Sequence, residues 1–191
     1  MREVSGYLEG RNLTLGEGKK KVYEIIDEYS SGGEITVDQD IENKMADFFD
    51  IAQKDLARIC PVVRLFAPEV PSAELEMPED FLRVKTVWRN GKPYRGYRWK
   101  AGKLLVTDGA AVEIEYIANP ATVSEVTPDS YAFEIDDNAA QALPYFVAAN
   151  QLIVDLVLDY GAVYAIWERM KQELAIRSSG VNPGLTNTLY R

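Results

Sequence analysis

The chain has 191 residues, 47% of them hydrophobic, so it can bury one sizeable core or two small ones without covalent staples. Its single cysteine and complete lack of histidine exclude an internal disulfide and remove the commonest metal ligand and the commonest general base. A formal net charge of −9 argues against a surface that coats nucleic acid, yet eight basic residues (Arg83, Lys85, Arg89, Lys92, Arg95, Arg98, Lys100, Lys103) fall in one acid-free segment.

Met1-Arg2-Glu3 leads into polar, Gly-rich residues with no apolar run, so no secretory signal is expected and the protein should be cytoplasmic at synthesis. Thr14 and Glu17 have the spacing of a capping box, and Val22, Ile25, Ile26 and Tyr29 then recur at helical spacing until Ser30-Ser31-Gly32-Gly33. Thr36 and Asp38 offer a second helix start. The stripe Ile41, Met45, Phe48, Ala52, Leu56, Ile59 follows and stops before Pro61.

Pro61, Pro68, Pro71 and Pro78 forbid a continuing helix, and alternation takes over. Leu82, Val84, Thr86 and Trp88 predict a strand that turns at Asn90-Gly91, with Tyr94 to Trp99 as its return. Turns at Ala101-Gly102 and Asp108-Gly109 separate a strand at Lys103 to Thr107 from one at Ala111 to Ala118. The middle third thus reads as an antiparallel meander.

Asp136-Asp137 can cap a third helix running to about Tyr160, with Pro144 near its start or kinking it. Residues 139–154 carry no charge, but 16 residues interrupted by Pro144 are too few to span a bilayer, so a buried core helix is expected and no membrane contact. From Ala162 a fourth helix presents Val163, Ile166, Trp167, Met170 and Leu174 on one face. The pattern predicts an α+β protein, mainly helical, with two helical pairs (1–61 and 129–177) packed as one compact domain around an inserted antiparallel β meander (62–128). Residues 178–191 read as a C-terminal arm.

No catalytic signature survives inspection, and no enzyme activity, cofactor or metal is expected. Gly18-Lys19 is followed by Lys20 and has Leu13 where a phosphate-binding loop needs its first glycine. Asp38, Asp40 and Glu42 lack the turn glycine and distal glutamate of a calcium loop and suit a helix N-terminus. Cys60 reads as a small hydrophobe. The basic segment is different, because Trp88, Tyr94, Tyr97 and Trp99 are interleaved with its cations. Three readings stay open for it: a sheet with an aromatic core face and a solvated cationic face, a surface that docks on an acidic protein, or a surface that contacts nucleic acid.

The run Ala142-Leu143-Pro144-Tyr145-Phe146-Val147-Ala148-Ala149, followed by Leu152, Asp155 and Trp167-Glu168, comes after a β-rich stretch opened by Met77-Pro78-Glu79-Asp80-Phe81-Leu82-Arg83. Over about 100 residues, Met77 to Leu174, this order resembles the small head-to-tail connector or neck proteins of tailed bacteriophages and prophages. The resemblance implies a structural virion protein, made in the host cytoplasm and located in the virion neck. Identical subunits would form a ring that docks on the portal and touches neighbouring neck or tail proteins. The ring would continue the DNA channel, with an acidic wall past which DNA slides without specific binding. Partner contacts are expected at Arg89, Lys92, Arg95 and Arg98 and on the arm at Leu185 and Tyr190. The alternatives are a nucleic-acid-binding module built on the basic aromatic hairpin, or a tail-completion protein.

Overall fold

In the computed structural model, which describes residues 12–29, 39–70, 72–154 and 160–179, helices occupy the two ends of the chain and strands its middle, an α+β arrangement as the residue pattern predicts. Residues 1–60 and 122–191 form a helical unit, and residues 61–121 form a β unit.

In the helical unit, α1 (Leu15–Tyr29) opens on a reciprocal capping box. The Thr14 N–H donates to the Glu17 carboxylate at 3.0 Å, and the Glu17 N–H donates back to Thr14 Oγ1 at 3.3 Å. Val22, Ile25 and Ile26 are buried as their spacing requires. In α2 (Gln39–Leu56), Met45, Ala52 and Leu56 are fully buried, but the ring that enters the core is Phe49 and not Phe48. Gly18 makes the room for it: a Cβ there would stand 3.0 Å from the Phe49 ring, which also packs on Phe133 at 5.4 Å. The second helix's expected start signals, Thr36 and Asp38, lie outside the described residues, and its end comes at Leu56, ahead of Ile59.

The third helix is two helices, not one. α3 (Asp137–Ala140) is capped by Asp136, whose carboxylate accepts the Asn138 N–H at 3.0 Å, and α4 (Leu143–Val154) restarts after a turn at Gln141-Ala142. Pro144 is the cause. In a continuous helix its ring would collide with the Ala140 carbonyl and it has no N–H to give, whereas in the first turn of a new helix neither matters. α4 then touches α1, α2 and α5 (Tyr160–Ser178), and Leu143, Val147, Ala148, Ala149 and Gln151 are all buried. α1 and α2 each pack on α4 more than on each other. α5 starts two residues before Ala162 and lays Val163, Trp167 and Leu174 into the core. Lys171 lies 5.8 Å from the centre of the Trp167 ring and donates to Asp55 of α2, a hydrogen bond that pushes its ammonium above the usual lysine range. Among the described residues no helix is long and apolar enough to cross a membrane.

The segment after the β unit is stitched to the helices. Val123 donates its N–H to Asp50 at 3.0 Å, Leu15 donates to the Tyr131 carbonyl at 2.8 Å, and Phe133 donates to the Leu13 carbonyl at 3.0 Å. The inserted unit therefore ends at Ala121 and not at residue 128.

The β unit contains two antiparallel sheets. One has the order β1 (Val62–Phe66), β7 (Glu113–Ala118), β3 (Phe81–Arg89), β4 (Lys92–Pro93), and the other has the order β2 (Glu74–Leu75), β6 (Lys103–Val106), β5 (Tyr97–Lys100). The expected return strand from Tyr94 to Trp99 is thereby divided: Lys92 and Pro93 pair back on β3, the Tyr94 N–H still donates to the Val87 carbonyl at 2.8 Å, and Tyr97–Lys100 joins the second sheet. Both hairpin turns use left-handed backbone, Asn90-Gly91 at φ 51° and 71° and Ala101-Gly102 at φ 52° and 79°. Phe81 of β3 stacks on Trp99 of β5 at 4.9 Å and packs on Tyr116 of β7 at 5.8 Å. Asp80 accepts the Tyr116 hydroxyl at 3.1 Å and pairs with Arg64 of β1, holding one end of the first sheet together.

Three substitutions test this packing by urea unfolding. Gly18→Ala, which gains about 1 kcal/mol in an open helix, lowers stability here by about 1 kcal/mol because the Phe49 ring is boxed in. Trp167→Ala costs about 3–5 kcal/mol. Ala101→Gly raises stability by about 1 kcal/mol, since alanine bears the steric cost of a left-handed turn position that glycine does not.

Candidate interaction surface

Part of the acid-free segment runs along strand edges. β4 is the last strand of the first sheet and β5 the last strand of the second, so residues 92–100 pass from one free edge to the other. Pro93 removes a backbone donor from the first of these edges. Lys92, Arg95, Arg98 and Lys100 are exposed, and none makes an ion pair with a described residue. Arg83 on β3 is likewise exposed and unpaired.

The other three cations are occupied. Lys85 pairs with Glu115 at 2.9 Å, and Lys103 lies between Glu76 at 3.2 Å and Glu74 at 3.8 Å. Arg89, expected at a partner contact, pairs with Asp108 at 2.8 Å and lies over the Tyr94 ring at 5.5 Å, while the Tyr94 hydroxyl donates to Asp108 at 3.1 Å. Tyr94 can fold back this way because the next turn has Gly96: a Cβ there would stand 2.2 Å from the tyrosine oxygen. The hydrogen bond from Arg89 holds the Asp108 carboxyl below its ordinary value. Desolvation, and after it Asp108, raises the Tyr94 phenol. Arg89 thus braces the hairpin, and Lys92, Arg95 and Arg98 remain available to a partner.

The aromatics do not form a stacking row. Trp88, Tyr94 and Tyr97 are half-buried, and only Trp99 is well exposed, at 48%, with its other side against Phe81. A cationic edge with one open indole is a weak platform for successive bases. It is a suitable surface for carboxylates. Charge divides between the units in the same sense: residues 61–121 hold nine basic and eight acidic residues, a net of +1, and the remainder hold twelve basic and twenty-two acidic, a net of −10.

Elsewhere the described residues offer little chemistry. Among them no group of His, Cys, Asp or Glu side chains is placed to hold a metal ion. A groove lined by Leu13, Glu17, Lys20, Lys21, Glu24 and Gln141 is already satisfied within itself: Glu17 closes the capping box, Lys21 donates to Gln141 and Lys20 faces Glu24. Burial raises the Cys60 thiol, with Asp136 adding to the effect, which makes it a poorer nucleophile. Leu185 and Tyr190 lie outside the described residues. No family model matches the chain, and no curated protein matches it.

The brace has a pH signature. Because the folded Asp108 value lies below the unfolded one, its stabilising contribution is complete above the ordinary carboxylate range and is lost as pH falls through the lowered folded value. An NMR titration should show the Tyr94 ring resonances moving only as pH falls below the ordinary carboxylate range. Asp108→Asn abolishes that acid step.

Proposed function

We propose that this protein is a structural component of a phage or prophage particle, a head-tail connector subunit that works by self-association and docking. The observation that carries the reading is a β unit inserted between helices, with exposed, unpaired cations along the free edges of its sheets, on a chain that is acidic elsewhere. Such edges suit contacts between protein subunits better than chemistry on a small molecule. The order of the Met77 to Leu174 segment, through the Leu-Pro-Tyr start of α4 and the Trp167-Glu168 pair of α5, supports the same class by resemblance.

In this reading the subunits close into a ring on the portal, and the −10 balance of the helical unit supplies the acidic wall of the channel. Such a wall repels DNA phosphates and lets the duplex slide. The virion neck is the place where the protein acts, after assembly in the host cytoplasm. No residue carries a reaction step.

Two measurements test this. Immunogold electron microscopy of particles induced from the source organism should place label at the single vertex joining head to tail; unlabelled intact particles, with the protein left in the soluble fraction, would sink the proposal. Isolated protein should bind duplex DNA weakly at 150 mM salt. Tight binding that weakens steeply with added salt would overturn the non-stick wall and favour a nucleic-acid-binding module.

A further inference from the structure

The sheet β2-β6-β5 has edges of opposite charge whose residues fall in matching rows. On its outer face, Glu74 of β2, Leu105 of β6 and Arg98 of β5 share one cross-strand row. One step further along, Glu76 reaches Lys103 at 3.2 Å, and Lys103 is the register partner of Lys100. On the inner face the row is Leu75, Leu104, Trp99. The β2 edge therefore reads acidic, apolar, acidic, and the β5 edge reads basic, aromatic, basic, at the same three levels. The side chains of both edges are open, Glu74 and Glu76 being 63% and 81% exposed and Arg98, Trp99 and Lys100 all exposed; on the β2 edge the Glu74 N–H and carbonyl are held by the exposed Ser72 hydroxyl, which a neighbouring strand has to displace or share.

Two local features are unfavourable in a single copy. Lys100 and Lys103 are directly opposed across β5 and β6, an arrangement of like charges that weakens a hairpin. Lys103 has two carboxylates beside it, while Lys100 has none. Trp99 leaves about half of its surface in water at the end of an otherwise buried row of Leu75 and Leu104. A strand carrying acidic, apolar and acidic side chains beside β5 would correct both.

We infer that this strand is β2 of a second copy, so that the three-stranded sheet continues from subunit to subunit by apposition of the basic β5 edge with the acidic β2 edge. β2 and β5 both run antiparallel to β6, and hence in the same direction as each other. A neighbour related by a modest rotation brings its β2 alongside β5 in a parallel sense, at the roughly 4.8 Å spacing of adjacent strands. Glu74 of that neighbour then faces Arg98, its Glu76 faces Lys100, and its Leu75 extends the apolar row over Trp99. The contact uses two different edges of one chain, so it is head-to-tail. Such contacts close into a ring when the rotation permits and otherwise propagate as a filament. The inference rests on the self-assembling part of the proposed function and supplies its interface, but it does not depend on the protein's place in a virion.

Charge reversal tests it on the full chain by analytical ultracentrifugation at low salt, from micromolar to about 1 mM. The unmodified protein should associate with rising concentration and dissociate with added salt. Arg98→Glu with Lys100→Glu makes both edges acidic, and Glu74→Lys with Glu76→Lys makes both basic. Each double variant alone should associate at least tenfold more weakly, and an equimolar mixture of the two should recover association as an alternating assembly. Circular dichroism melting verifies that both fold; the recovery on mixing is itself a readout that a misfolded variant cannot give. An unmodified protein that stays monomeric to 1 mM, reversed variants that associate as well as the parent, or folded variants that fail to recover on mixing would each overturn the inference. So would a monomer that binds heparin through Arg98 and Lys100, since the basic edge would then be a site for a different polyanion. Neck labelling with unchanged association of the variants would reject this interface and leave the connector reading standing; recovery on mixing with unlabelled particles would do the reverse.

Discussion

The helical unit depends on one constraint: α4 has no charged residue, and its buried side chains Leu143, Val147, Ala148, Ala149 and Gln151 must be covered. A helix of this kind cannot lie at a surface, so α1, α2 and α5 are each held by the need to cover part of it. That explains why helices from the two ends of the chain meet. It also explains why α1 and α2, consecutive in sequence, are partners of α4 more than of each other. Pro144 sets where α4 begins, and through it the turn at Gln141-Ala142 that separates α4 from α3.

Local signals in the residues were reliable wherever the physics is local. The Thr14–Glu17 capping box and the left-handed turns at Asn90-Gly91 and Ala101-Gly102 are decided within four residues of backbone, and all three occur as their chemistry requires. Where a choice depends on a distant partner, the pattern was insufficient. Phe48 and Phe49 are adjacent and equally apolar; only the gap left by Gly18, in another helix, selects Phe49 for the core. In the same way the residues after Gly91 alternate well enough to return along β3, but after Tyr94 the chain leaves that sheet and finds β6 instead.

The candidate surface was legible as a composition and illegible as an arrangement. Eight cations without an acid are plain in the sequence, yet their fate is set by carboxylates far along the chain: Asp108 takes Arg89, Glu115 takes Lys85, and Glu74 and Glu76 take Lys103. What remains is a smaller set, on free edges, with a single open indole. Spacing alone cannot separate Arg89, a brace, from Arg95, a free charge, because both sit in loops or strands of similar polarity. The register of β2, β6 and β5 makes the distinction meaningful, since it turns scattered signs into ordered rows.

The pairing of β1 with β7 has a consequence for how such a chain can diversify. Val62, the second residue of the β unit, lies opposite Ala118, near its last, so the chain enters and leaves the insertion through neighbouring strands. Adjacent Cα atoms across such a pair are about 5 Å apart. A scaffold whose inserted module begins and ends at one point can exchange that module, enlarge it or reduce it to a turn without moving the helices on either side. The exposed strand edges can then change freely, while α4 and its covering helices stay under the slower discipline of a packed core.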